Sequence, residues 1–287
     1  MNTLALDFST KTATRQRAVV YRTKGRKHGP ITRLMSPSDM GENLKPFVFL
    51  DHIDTEGLSR DKLPDLSLHP HSGIGTLTWL FEGAFTYEDN LGRHGELRQG
   101  WIEWMHAGAG AWHGGGFGDA PRLRGFQLWL ALPPEAELGE AYSQYVAHQP
   151  SSTLGPVTVL MGRHEVATGF VDALSPINYF SVKLKAGEVW NYRPPRGHDV
   201  AWAAVSTGRL RSSASIEAGE LVAFEEGEEA LAFEAELDTE FVVGSAAKHP
   251  HELVLGHYSV HTSTEALSKG ESRIRELGQR LREQGRI

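Results

Sequence analysis

Most of the chain reads as short apolar or alternating runs, each closed by glycine, proline or an Asp-Asn turn. Thr76-Leu77-Thr78-Trp79-Leu80-Phe81 is rich in β-branched and aromatic residues and stops at Glu82-Gly83. Ala84-Phe85-Thr86-Tyr87-Glu88 alternates and then turns at Asp89-Asn90-Leu91-Gly92. Ile102-Glu103-Trp104-Met105 and Gly125-Phe126-Gln127-Leu128-Trp129-Leu130 continue the pattern. Strands this short, with a turn about every eight to twelve residues, predict a sandwich or small barrel. The end of the chain differs. Leu267, Ile274, Leu277 and Leu281 follow at roughly helical spacing behind Thr262 and Glu265, which have capping-box spacing. This predicts one helix near 263–284, docked by one apolar face.

The strand pattern also repeats. Trp79-Leu80-Phe81-Glu82-Gly83-Ala84-Phe85 is echoed by Ala204-Val205-Ser206-Thr207-Gly208-Arg209-Leu210. Likewise Glu96-Leu97-Arg98-Gln99-Gly100-Trp101-Ile102 is echoed by Ser215-Ile216-Glu217-Ala218-Gly219-Glu220-Leu221. Two copies of one β-barrel follow, with the boundary in the Pro/Gly/Ser-rich stretch between Pro133 and Pro156. The expected units are residues 1–140 and 141–287. They are chemically unequal: where the first has His69 and His71, the second offers only His198-Asp199 before its strand, and nothing evident matches His113.

Composition narrows the chemistry. The chain has 287 residues, 40% hydrophobic and 23% charged, the make-up of a soluble globular protein of about two domains. No run of eighteen apolar residues suggests a membrane span, and Met1 to Pro30 lacks the apolar core of a secretory signal. Zero cysteines exclude disulfides and thiol chemistry, so a metal site must use histidine and carboxylates. A cytoplasmic location is the easiest fit. The net charge of −7 argues against general nucleic-acid binding. The basic segment Arg15, Arg17, Arg22, Lys24, Arg26, Lys27 reads as a solvated arm or edge strand.

Candidate chemistry begins at His69-Pro70-His71. In a strand, residues i and i+2 face the same way, so both imidazoles can converge on one ion. Fourteen histidines in this chain give about one His-x-His by chance, and His249-Pro250-His251 is a second pair, read as surface loop. The first pair is followed by a strand, a Gly turn, another strand and Gly108…His113. Glu82 and Glu103 read as solvated or structural strand residues. His52 and His94 read as surface or supporting groups. Trp79, Trp101, Trp104, Trp112 and Trp129 read as core, with one or two free to line a pocket for a flat ligand. No Ser-His-Asp order, P-loop or dinucleotide-binding glycine motif stands out.

The order of motifs resembles that of cupins, and more narrowly the pirin family. Phe47-Val48-Phe49-Leu50-Asp51-His52, His69-Pro70-His71-Ser72-Gly73, Trp104-Met105-His106-Ala107-Gly108-Ala109-Gly110 and Gln127-Leu128-Trp129-Leu130-Ala131-Leu132-Pro133 look like pirin motifs in the right order. Leu253-Val254-Leu255-Gly256 suits the family's C-terminal end. The resemblance implies an all-β bicupin: two tandem cupin-type β-barrels and a short C-terminal helix, with metal in the N-terminal barrel only. Pirins bind iron through three histidines and a glutamate. The histidines fall on His69, His71 and His113, but the glutamate position holds Gly115, and Gly75 stands where many pirins carry the cupin-type glutamate. Three outcomes follow: a three-histidine metal site, His106 as a fourth ligand or proton acceptor, or no metal. Fe(II) is the implied metal, with Zn, Ni, Cu or Mn as alternatives. The implied function is a quercetinase-like dioxygenase taking a small aromatic substrate and O2. The alternative is a non-catalytic regulatory pirin that binds a protein partner.

Overall fold

In the computed structural model, which describes residues 16–59, 62–64 and 66–287, strands dominate and one long helix closes the chain. Arg15 lies outside the described residues. The strand Ile74–Glu82 shows how the sequence builds the fold: it is buried at all but its last residue. Leu77, Trp79 and Phe81 point one way into a central core, while Thr78 and Leu80 point the other way into a barrel. A strand with no solvent face needs apolar side chains at both parities, hence the unbroken apolar run.

Two seven-stranded sheets carry the molecule. The first runs Tyr142–Val146, Ile102–His106, Ile74–Glu82, Arg124–Ala131, Phe47–Asp54, Ile31–Met35, Arg26–His28. The second runs Val19–Thr23, Leu221–Phe224, Val200–Thr207, Thr239–Ala246, Ile177–Leu184, Val157–Met161, Thr153–Leu154. Each faces a four-stranded sheet: Leu66–His71, Ala111–Phe117, Ala84–Asp89, His94–Arg98 in the first half, and Val189–Tyr192, Leu231–Ala235, Arg209–Arg211, Ser215–Glu217 in the second. The two lists match place by place, so the repeat seen in the sequence is a repeat of topology. Gly83 and Gly208 make the same tight turn, at φ 86° and 84°. A Cβ at either would come within 2.3 Å of a backbone oxygen, of Arg122 and Asp238 respectively.

The backs of the large sheets pack on each other through Trp79, Phe81, Trp104 and Phe126 on one side and Tyr179 and Trp202 on the other. Chain segments and barrels differ in extent. Val19–Thr23 pairs with Leu221–Phe224, and Tyr142–Val146 pairs with Ile102–His106, so the strand that opens each half sits in the other half's sheet. Arg17 belongs to this exchange. It is buried and donates to the Glu225 and Asp199 carbonyls, so it is no part of a solvated arm.

The C-terminal helix, α1 (Thr264–Glu283), buries Ala266, Gly270, Ile274, Leu277, Gly278 and Leu281 against the first barrel. Its N-cap is Ser263, whose hydroxyl accepts from the Ala266 N–H, and not Thr262 as the capping-box spacing suggests. The Thr262 hydroxyl instead donates to Glu137 at 2.6 Å. No helix among the described residues is long and apolar enough to cross a membrane.

Candidate metal centre

The strands Leu66–His71 and Ala111–Phe117 pair with His69 opposite His113 and His71 opposite Ala111. This register puts three imidazoles on the inner face of the first barrel. One ligand atom from each of His69, His71 and His113 lies within 4.8 Å of the others. The rings make a close triad, with centroids 4.7 to 5.1 Å apart.

Hydrogen bonds set the tautomers. His69 Nδ1 meets the Ser67 carbonyl at 3.0 Å and His71 Nδ1 meets the Tyr258 carbonyl at 3.2 Å. His113 Nδ1 meets Glu103 Oε1 at 2.9 Å. A carbonyl or carboxylate only accepts, so each Nδ1 carries a proton, and a ring in its neutral form has its lone pair on Nε2. The Nε2 atoms of His71 and His113 are buried and have no hydrogen-bond partner. Leaving two such acceptors unpaired is costly unless something else occupies them. Burial, aided by the charge of His113, pushes His69 down to about 4. The same causes, with His69 added, hold His71 well below the ordinary histidine range. Both are therefore neutral ligands at pH 7. Three neutral imidazoles suit Fe(II), Zn(II), Ni(II) or Cu(II), with metal–nitrogen bonds of about 2 Å.

The triad lies on the wall of a cavity of about 410 Å³. Its apolar sides include Phe49, Ile53, Leu80 and Trp129. Trp129 stacks on Phe49 at 4.0 Å and meets the His71 ring edge-on at 4.7 Å. Arg33 and Asp51, joined by two 3.1 Å hydrogen bonds, also line it. His257 and Tyr258 of the C-terminal segment add the last wall.

That segment is tied down by a buried network. Ser72 Oγ lies 3.0 Å from His261 Nε2, His261 Nδ1 lies 3.0 Å from Glu137 Oε2, and Ser259 accepts from Ser72 at 2.8 Å. The order Ser-His-Glu is that of a hydrolase triad, but these groups are sealed. Gly270 of α1 lies directly over them, where a Cβ would sit 2.5 Å from both Ser72 Oγ and His261 Nε2. The network is a strap that holds Tyr258 against His71.

Several sequence expectations change here. His106 does not line the cavity. It shares the parity of Ile102 and Trp104, facing away from Glu103, and stacks on Tyr142 at 4.9 Å. A ring on that face cannot supply a fourth ligand or a base to the cavity. Glu103, read as an ordinary strand residue, is fully buried, and Thr78 donates to its Oε2 at 3.0 Å. Burial would raise its carboxyl, but the His113 charge and these two hydrogen bonds outweigh that and hold it below the usual range. Neither glycine marks a removed carboxylate inside the cavity. A Cβ on Gly115 would lie 1.8 Å from the Thr86 carbonyl oxygen, and one on Gly75 would lie 2.1 Å from Trp104.

The remaining candidates disperse. Trp79 and Trp104 belong to the core between the barrels, and Trp112 donates to the Ile274 carbonyl of α1 at 2.9 Å. Trp101 packs at the edge of a smaller cluster, so Trp129 is the tryptophan of the cavity. His52 is buried beside Ser206, while His94 is exposed. His249 and His251 gather no third ligand among the described residues. His198 binds Ser245.

Comparison with known proteins agrees with this architecture. The family profile described as Pirin matches residues 29–130. A pirin-like protein of Caulobacter vibrioides is 36% identical over 194 residues, 63% of this chain and 67% of that protein. A protein of Pseudomonas aeruginosa named "Putative quercetin 2,3-dioxygenase" is 31% identical over 176 residues, 55% of this chain and 59% of that one. The crystal structure of a quercetin 2,3-dioxygenase from Acinetobacter baumannii superposes with a TM-score of 0.80 at 22% identity, covering 90% of this chain and 96% of that one. Sequence similarity and shared two-barrel fold together place this chain in the pirin family, as a bicupin.

Proposed function

We propose that this chain is a metal-dependent dioxygenase of the quercetinase type, with the metal held by His69, His71 and His113. The observation that carries the reading is the set of three inward-facing imidazoles, two with buried, unpartnered Nε2 atoms, on the wall of an otherwise largely apolar cavity. A bound redox-active divalent metal would supply the Lewis acidity and electron exchange with O2 that aromatic ring cleavage needs. Iron is the first choice on family resemblance.

The chain's own residues do the rest. Phe49 and Trp129 form a stacked apolar wall against which a flat phenolic ring can lie. Arg33, held over Phe49 at 4.3 Å, places a cation on the same cavity for an ionised phenol. Gln127 offers its side-chain amide to ring substituents. A glutamate ligand in the family pattern could also accept the substrate's proton; neither Gly115 nor His106 can do so here, so turnover favours substrates that ionise easily. We place this activity in the cytoplasm as part of the same proposal.

The deciding experiment is elemental analysis of untagged protein, followed by oxygen consumption with a flavonol on the iron-loaded form. Near-stoichiometric metal, lost in His113→Ala, with flavonol-dependent oxygen uptake, supports the reading. Protein that resists loading with Fe(II) overturns it.

A further inference from the structure

We infer that Glu103 is the carboxylate of this metal centre, acting through His113 as a positioning residue rather than on the ion itself. The inference rests on the three-histidine reading above and adds a charged partner to it.

Glu103 is a buried carboxylate whose one ionisable hydrogen-bond partner is His113. Its oxygens are taken by His113 Nδ1 at 2.9 Å and Thr78 Oγ1 at 3.0 Å, and no lysine or arginine bonds to it among the described residues. The other carboxylate on the cavity, Asp51, is different: Arg33 holds it through both oxygens. A buried carboxylate is expensive unless a positive charge completes the set, and here only a histidine, by a proton or a bound cation, can bring one. The lone pair on His113 Nε2 is where that charge can enter, with the imidazole ring as the link. A carboxylate on the far nitrogen fixes the ring's orientation and raises the basicity of the ligating nitrogen. Three neutral imidazoles and one Glu103 anion give a dication the same net charge as three imidazoles and a bound glutamate. The carboxylate that Gly115 cannot carry is thus supplied one bond network away.

The second barrel provides a control within the molecule. Thr78 pairs with Glu103 across the first sheet. At the same place in the second sheet, Ala203 pairs with Val222. The barrel without a histidine triad also lacks the carboxylate and the hydroxyl that steadies it.

The test is Co(II) affinity of the full chain, measured by competition with a chromophoric chelator and by the visible absorption of bound Co(II). Glu103→Gln keeps the shape and an acceptor for His113 but removes the charge. It should bind Co(II) roughly 10- to 100-fold more weakly, with shifted bands, while metal-free thermal stability stays level or rises. Thr78→Val keeps the charge but frees it, and should cost a smaller factor of about three. If both variants match wild type in affinity and spectrum, the role of Glu103 is overturned and the metal site stands. If Glu103→Gln loses metal-free stability in step with affinity, Glu103 is a structural residue and the inference fails. Wild-type protein that takes up no Co(II) overturns both the inference and the site.

Discussion

The two barrels share a topology and divide the labour. The first lines its interior with His69, His71, His113, Thr78 and Glu103 around a cavity. The second, in the corresponding strands, carries Trp190 and Tyr192 with Phe233 opposite Trp190, and fills its interior with these rings. Trp190 stacks on Tyr192 at 5.4 Å and on Phe233 at 5.6 Å. One barrel therefore derives its order from packing, and the other holds polar groups open at a cost that packing elsewhere must offset. The shared central core and the strap from the second half supply that support.

The sharpest way to break the comparison is to remove one ring from each barrel. His113→Ala should lower metal affinity by more than ~100-fold, since losing a ligand costs more than losing its supporting partner. Phe233→Ala should leave metal content unchanged but cost about 3–5 kcal/mol of stability through the cavity it opens. Elemental analysis and urea unfolding of both variants test this. Metal loss in Phe233→Ala would show that the barrels are not independent in chemistry.

The strap is the next largest difference, because among the described residues no second copy of it guards the other barrel. Glu137 accepts from Thr262 at two atoms and from His261, all from the C-terminal segment. Glu137→Ala should cost about 3–5 kcal/mol, as expected for stripping one partner from a buried polar network. It should also free Tyr258 from His71, raising proteolytic cleavage near residues 255–262. Intact resistance to protease would mean that α1 alone secures the segment.

Acid acts on both barrels, most strongly on the first, where the lowered values reach about 4. Burial pushes His52 and His69, both in the first barrel, down to about 4, against about 6.5 in the unfolded chain. Between those values the unfolded chain binds more protons than the folded one, so metal-free stability is retained above pH 6.5 and falls as pH drops towards 4. From pH 7 to pH 5 each group should cost about 2 kcal/mol. Urea midpoints at the two pH values measure this, and His52→Gln should flatten the dependence. The second half feels acid too, because burial lowers His164, packed against Trp190 and Tyr192, and His198 beside Ser245.

How the sequence conveyed these features depends on periodicity. The His69-x-His71 pair was legible because strand parity puts i and i+2 on one face, and His113 was legible from the order of motifs. Glu103 was not. In Ile102-Glu103-Trp104 the alternation reads as core-solvent-core, yet all five residues of Ile102–His106 are buried, since this strand faces a barrel on one side and a second sheet on the other. A carboxylate inside an otherwise apolar, doubly buried strand is the signal that points to it. The same parity sends His106 away from the cavity. The repeat was legible through Gly83 and Gly208, but the exchange of opening strands was not, because pairing across 200 residues leaves no local trace. The helix was legible from its apolar spacing. Its cap was misplaced by one residue because Glu137, distant in sequence, takes the Thr262 hydroxyl.

The smallest expected effect concerns Gly115, where sequence comparison suggests a lost ligand and packing suggests otherwise. The strand Ala111–Phe117 pairs without interruption with Ala84–Asp89, while its partner Leu66–His71 carries one extra residue between His69 and Leu66; Gly114 lines the cavity and Gly115 lines the groove beside Thr86 and Tyr87. A Cβ at Gly115 meets the Thr86 oxygen at 1.8 Å, and backbone on both sides leaves little room to yield. Gly115→Ala should therefore cost about 1–3 kcal/mol, the usual range for overpacking, with metal affinity within about threefold of wild type. Gly115→Glu should do no better, because its Cβ meets the same backbone oxygen and the Phe85 ring. Tighter metal binding in Gly115→Glu would show that the strand can shift its register to recover a fourth ligand, and would make the separation of the two barrels a matter of a single side chain.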